Sequence, residues 1–327
     1  MLIDVVRGLA ITLVALGHTN LGITFRGWWG ASTMGDRISF AIYSFHMPAF
    51  FFVSGVFLRP SVEKRGEKLF VLEKLRTMIY PYLLWAFIFT GATIPFARFM
   101  RQTTPGWKLF LYNLVTADYS WFLPTIFFVV VLGMLTRRMP MWLLFAVAVV
   151  VSLYFPYTEI GFLERGVRNL PFLVAGMWAG ASVKRMQRIP VAVAAVLAVV
   201  CCVAILTFTA KPYNVIGVRA VPLGLLGTFM LMLIARCMGR GASARAFAWI
   251  GAASLGIFLM SSFPQGAGRE FLVRVFHTTS PWPQLFFPTL LAVVIPAWLY
   301  HHRKRLHIEW MFAWPQGGSP APAKPVE

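Results

Sequence analysis

Charge is scarce in this chain of 327 residues: 13% of positions are Asp, Glu, Lys or Arg, against roughly 25% in soluble domains. Acids are scarcer still, 11 against 30 basic residues. Cysteine occurs only at Cys201, Cys202 and Cys237, two of them adjacent, which excludes a disulfide framework and a cysteine metal site and assigns them to packing. Polar stretches long enough to hold a soluble domain are missing between the apolar runs, and no internal repeat relates the two halves. Apolar and aromatic residues, 58% and 16%, fill the space that charge leaves. A hydrocarbon core takes about 20 residues to cross as a helix, and runs near that length recur along the chain.

The runs place candidate spans at 5–23, 38–58, 78–97, 121–136, 141–157, 169–184, 190–209, 217–236, 249–265 and 283–300. The segment 107–117 is too short to cross alone and reads as an interfacial or re-entrant piece. The fold class expected is an all-α polytopic membrane protein, with about ten transmembrane helices around a central polar pore or reaction chamber. The first run lacks a basic lead-in and a small-residue cleavage site, so it is kept as a span. Residues 1–310 form one membrane domain. The Pro-, Gly- and Ala-rich end makes 311–327 a disordered cytoplasmic tail.

The formal charge of +19 does not imply nucleic acid, because the basic residues sit in connections rather than on one face of a soluble fold. Alternate connections carry 18 and 11 Lys and Arg, with Arg7 set aside inside the first span. Cytoplasmic loops are the richer in such residues, so both termini are expected in the cytoplasm and the spans in contact with membrane lipid.

An ionisable group within a span is costly, and each one asks for a functional account. In "RGLAITLVALGH", Arg7 and His18 are eleven positions apart, about 1100° of helical rotation, so they share one face within about 20°. Their separation along the axis is about 16 Å. They line one passage at two depths without touching. Asp4, three residues before Arg7, is placed to pair with it; an interfacial anchor is the simpler role for Arg7. His18 and His46, from "FHMPAFFFVSGVFL", fall at similar depth in antiparallel neighbours and read as one pocket, or as separate hydrogen-bonded helix contacts. Pro48 is expected to break the helix just past His46, and Ser54 with Gly55 to allow close approach of another helix. Lys74 and Arg76 satisfy the positive-inside pattern; a substrate with several phosphates would use them.

These segments resemble the integral-membrane acyltransferase 3 family of sugar O-acetyltransferase-like proteins. "IDVVRGLAITLVALGH" is similar to its opening helix and "YSFHMPAFFFVSGVFL" to its second. "KLRTMIYPYLLW", "YSWFLPTIFFVVVL", "RNLPFLVAGMWAG" and "IGAASLGIFLM" follow in the family's order. The resemblance implies transfer of an acyl group, most often acetyl from acetyl-CoA, to a hydroxyl of a cell-envelope carbohydrate or lipid-linked sugar, with no metal. It implies Arg7 and His18 as the catalytic pair, and Arg7, Lys74 and Arg76 as donor-binding residues. Asp4, His46, Ser54, Trp121 and Arg269 become pocket residues. Many members carry histidine where this chain has Ser261, so that position cannot act as a base here. Imidazole titrates near ~6.5 and can serve as general base, or alternatively carry the acyl group itself. A transporter or flippase would also be polytopic with polar groups at mid-membrane, but such folds often show an internal repeat.

Overall fold

A computed structural model describes residues 1–93, 108, 111–112, 121–155, 161–180, 182–210 and 220–315. All regular elements among them are helices. The clearest case of sequence dictating structure is "VAVAAVLAVVCCVAILTFT", a run free of Gly and Pro that forms α9 (Val191–Thr209) directly after Pro190. Proline suits a helix start because the amide it lacks there would have no intrahelical partner. Pro140 likewise precedes α7 (Met141–Tyr154), and Pro281 opens α14 (Pro281–His301).

Much of α9 faces outward: Val196 and Val199 are 63% and 62% exposed. In water, apolar surface on that scale would drive aggregation; against lipid tails it costs nothing. Leu2–Phe25 (α1), Met34–Arg65, α9, Ala220–Met238 (α10) and α14 are long and apolar enough to cross a membrane, five spans among the described residues. A sixth comes from counting α11 (Ala242–Ala252) and α12 (Ser254–Met260) as one span bent by 60°. The protein is a multi-pass membrane protein. The other expected spans begin on α5 (Tyr80–Thr93), α6 (Phe122–Thr136), α7 and α8 (Gly161–Ala179). The first three are shorter, and α8 carries Glu164, Arg165 and Arg168.

The second expected span is made of two helices, α2 (Met34–Tyr43) and α3 (His46–Arg65). The interruption lies at Ser44 and Phe45, before His46. Pro48 therefore does not break the helix: it sits in the first turn of α3, where proline is tolerated. Gly66, with φ at +77°, ends α3 and admits α4 (Glu67–Lys74). A π turn, Leu75–Ile79, leads into α5.

Two axes organise the bundle. The first is α1, packed against α2, α3, α10, α11, α12 and α14. The second is α3 against α8, where a Cβ on Gly55 would overlap the Leu173 carbonyl and one on Gly176 that of Phe52. That contact matches the close approach expected at Ser54 and Gly55. Past the bend α12 packs against α1, and α13 (Ser262–Val275) reaches α1 through the side chains of Gln265 and Arg269.

The chain stays packed beyond the domain boundary expected at 310. Phe312 is buried against Tyr82, Trp85 and Leu259, Trp85 Nε1 donates to the Met311 carbonyl over 2.9 Å, and Arg76 Nε donates to the Trp314 carbonyl. The 311–315 part of the expected tail is thus docked. Residues 316–327 lie outside the described residues, as do most of the 98–120 connection with its expected interfacial piece, the end of the third expected span and the start of the eighth.

Candidate functional site

The site begins at a contact between backbones. A Cβ on Gly8 would overlap the Phe247 carbonyl oxygen, and one on Gly251 would overlap that of Asp4. Small residues bring membrane helices this close because no side chain holds the backbones apart. The contact draws Arg7 to the bend between α11 and α12, where Arg7 Nη2 donates to the Ser254 hydroxyl over 2.8 Å. Ser254 is buried. Asp4 Oδ1 lies 4.0 Å from Arg7 Nη1, a loose form of the expected pair.

Arg7 borders a cavity of about 270 Å³ between α1, α3, α4, the π turn, α6 and α12. Its polar lining is Arg7, Lys74, Ser54, Ser61, Thr77 and Ser254. Apolar walls come from Ile11, Val14, Met47, Phe50, Phe122, Phe258 and their neighbours. The Phe122 ring lies 5.7 Å from Phe50 and 5.3 Å from Phe258, forming an aromatic collar. On α1 the lining residues Arg7, Ile11 and Val14 recur at helical spacing along one face. The cavity stops there, one turn short of His18.

His18 is exposed, yet protein surrounds it on most sides, as at the wall of a crevice. Its ring is 6.3 Å from that of Tyr43, and Tyr43 is 4.8 Å from His46. His46 is buried, with Nδ1 2.7 Å from the Ile42 carbonyl. A carbonyl only accepts, so Nδ1 carries the proton. The structure therefore brings the two histidines together around one tyrosine, and His46 also closes the break between α2 and α3.

Lys74 and Arg76 part company. Lys74 Nζ lies over the Phe70 ring, 5.3 Å from its centre, and lines the cavity. Burial pushes its ammonium below the usual lysine range; Glu73 opposes the shift, and Arg65 and Arg7 add to it. Arg76 points away from the cavity to the Trp314 carbonyl. Trp121 does not line the cavity either: it meets Phe122 edge-on and lies under the Arg165 guanidinium at 5.0 Å. Arg269 belongs to a separate cluster at the far end of α1, where its Nη2 approaches the Thr19 carbonyl at 3.5 Å.

Sequence reasoning did not single out Ser254, Tyr43, Ser61 or Thr77. "AASLG" does contain a signal, a serine right after two small residues at a helix bend, but its partner lies 247 positions away. Among the described residues no group of three or more His, Cys, Asp and Glu is placed to hold a metal ion.

A bundle of apolar helices that encloses a cavity lined by Arg7 and Lys74 defines a helical membrane protein with a buried, partly cationic pocket. The family model described as an acyltransferase domain matches residues 2–301, and the chain belongs to the acyltransferase 3 family of membrane acyltransferases. No curated protein and no solved structure matches it.

Proposed function

We propose that the protein moves an acetyl group from acetyl-CoA to a hydroxyl of a cell-envelope carbohydrate or lipid-linked sugar. It does so in the inner membrane, through ten spans, with both termini in the cytoplasm. The observation that carries this reading is the cavity itself, with Arg7 and Lys74 at one end and, beyond the aromatic collar, His18 one helical turn on. Phosphates favour a basic mouth. The narrow apolar walls suit the pantetheine arm and the thioester, while the nucleotide stays outside.

In the transfer His18 accepts the proton of the acceptor hydroxyl, whose oxygen attacks the thioester carbonyl. The carbon–sulfur bond then breaks, and the proton goes from His18 to the departing thiolate. Arg7, held by Ser254, supplies positive charge where the donor enters. The direct test is labelling of envelope glycan by membranes containing the protein and radiolabelled acetyl-CoA. Absence of any dependence on the protein overturns the reading.

Lys74→Gln is expected to raise the half-saturating acetyl-CoA concentration about 10-fold, the scale of one charge-assisted hydrogen bond, whereas Arg76→Gln leaves it near wild type. Because burial lowers the Lys74 pKa, donor affinity should fall on the alkaline side earlier than an ordinary lysine would dictate. Lys74→Arg, which stays protonated, should abolish that fall. A half-saturating concentration unchanged in Lys74→Gln would remove Lys74 from the donor site. Reporter fusions test the topology: the expected result is a cytoplasmic reporter after residue 315 and a periplasmic one in 98–120, and either opposite result overturns it.

A further inference from the structure

We propose that Tyr43 and Arg269, the latter positioned by Gln265, form an acceptor subsite for a polyhydroxylated ring on the outer side of His18. The proposal rests on the acyltransferase reading and adds where, and by which groups, the acceptor is held. The donor cavity ends at Val14, so whatever reacts with the donor at His18 must approach from the far end of α1. The side chains there form a polar cluster in a protein otherwise poor in polar groups.

Gly22 lies four residues after His18, one turn outward on the same face. A Cβ at Gly22 would overlap the Arg269 guanidinium. The missing side chain lets that guanidinium rest on α1 directly above His18. Arg269 Nε is buried and has no hydrogen-bond partner. At the level of His18 itself, Gln265 is anchored by Nε2 to the Ala15 carbonyl at 3.1 Å and to Thr19 Oγ1 at 2.5 Å. Thr289 Oγ1 donates to Thr19 Oγ1 over 2.9 Å, which holds α14 in the same cluster. On the other flank of His18 stands Tyr43, whose hydroxyl is also buried and without a partner.

A buried polar atom left unpaired is destabilising unless something fills the vacancy. Here two such atoms, a phenol oxygen and a guanidinium nitrogen, flank an exposed imidazole. Turned toward an incoming ring by rotation of their side chains, they offer hydrogen bonds to vicinal hydroxyls, with the Tyr43 ring as an apolar face, the combination a sugar ring presents in reverse. The anchored amide of Gln265 keeps α13 in register with α1, so that the Arg269 side chain stays over His18.

The test uses the full-length protein in liposomes, acetyl-CoA as donor and, as probe acceptor, the base-deacetylated polysaccharide fraction of the cell envelope. For Tyr43→Phe and for Arg269→Gln the half-saturating polysaccharide concentration is expected to rise about 10-fold, the effect of one lost hydrogen bond in a binding site. The half-saturating acetyl-CoA concentration stays within about twofold of wild type, which also reports a folded protein. Arg274→Gln, on the same helix but exposed and paired with Glu270, leaves both values unchanged. Unchanged polysaccharide dependence in both variants overturns the subsite, and so does an equal shift for donor and acceptor, which makes these residues supports of the fold. A wild-type protein that labels no polysaccharide overturns the acyltransferase reading itself.

Discussion

His18→Ala is expected to remain folded in the membrane, to bind acetyl-CoA as wild type does, and to transfer the acetyl group roughly 10²-fold or more slowly, the loss that follows removal of a general base. Folding should survive because His18 is exposed in its crevice rather than packed, and its truncation opens no closed core. Donor binding should survive because the cavity that bears Arg7 and Lys74 does not include His18. The measurement is donor binding together with single-turnover transfer on the purified protein. Near-normal transfer removes His18 from the chemistry. Lost donor binding makes it a donor-positioning residue instead. Retained binding with lost chemistry is the expected result.

The second large effect is expected at a residue with no functional group at all. Gly8→Leu should lower thermal stability by about 2–3 kcal/mol, the upper part of the usual range for overpacking, and abolish activity at temperatures where the variant is still folded. The obstacle to a side chain at Gly8 is the Phe247 carbonyl oxygen, part of the α11 backbone, which cannot rotate aside as a flexible side chain would. Helices α1 and α11 must separate, and the hydrogen bond from Arg7 to Ser254 is lost with them. Gly91→Ala is the control, since nothing lies within 4 Å of a Cβ there. Thermal unfolding in detergent, followed by transfer assays on each variant, separates the outcomes. A Gly8→Leu protein as stable and active as the Gly91→Ala one would show that the close approach does not hold the site.

Residues local in sequence were the ones legible without a fold. The α9 run, with no helix breaker and no charge, can only be an apolar helix, and the eleven-residue spacing of Arg7 and His18 places them on one face whatever surrounds them. Both follow from the period of the backbone and the cost of unpaired amides in lipid. The placing of His18 and His46 at similar depth used one step more, the reversal of direction between neighbouring spans, and the structure sets both rings against Tyr43.

Pro48 shows where local rules stop. Proline either breaks a helix or begins one, and the choice depends on where the previous helix ends, which here is settled by His46 reaching back to the Ile42 carbonyl. Lys74 and Arg76 were equivalent as charges, two residues apart in one basic segment. Only the packing of the π turn sends the first into the cavity and the second to the docked chain around Trp314. The same holds for Ser254, Gln265 and Arg269. Their partners on α1 lie some 250 positions earlier, and no periodicity spans that gap. Composition, hydropathy and helical period thus determined that this protein is a helical membrane protein and that Arg7 and His18 share one face of its first helix, the face on which Arg7 lines the cavity. Which side chains meet that face was decided by tertiary structure, because glycine contacts between helices, rather than any property of the polar residues themselves, set the distances at which hydrogen bonds form.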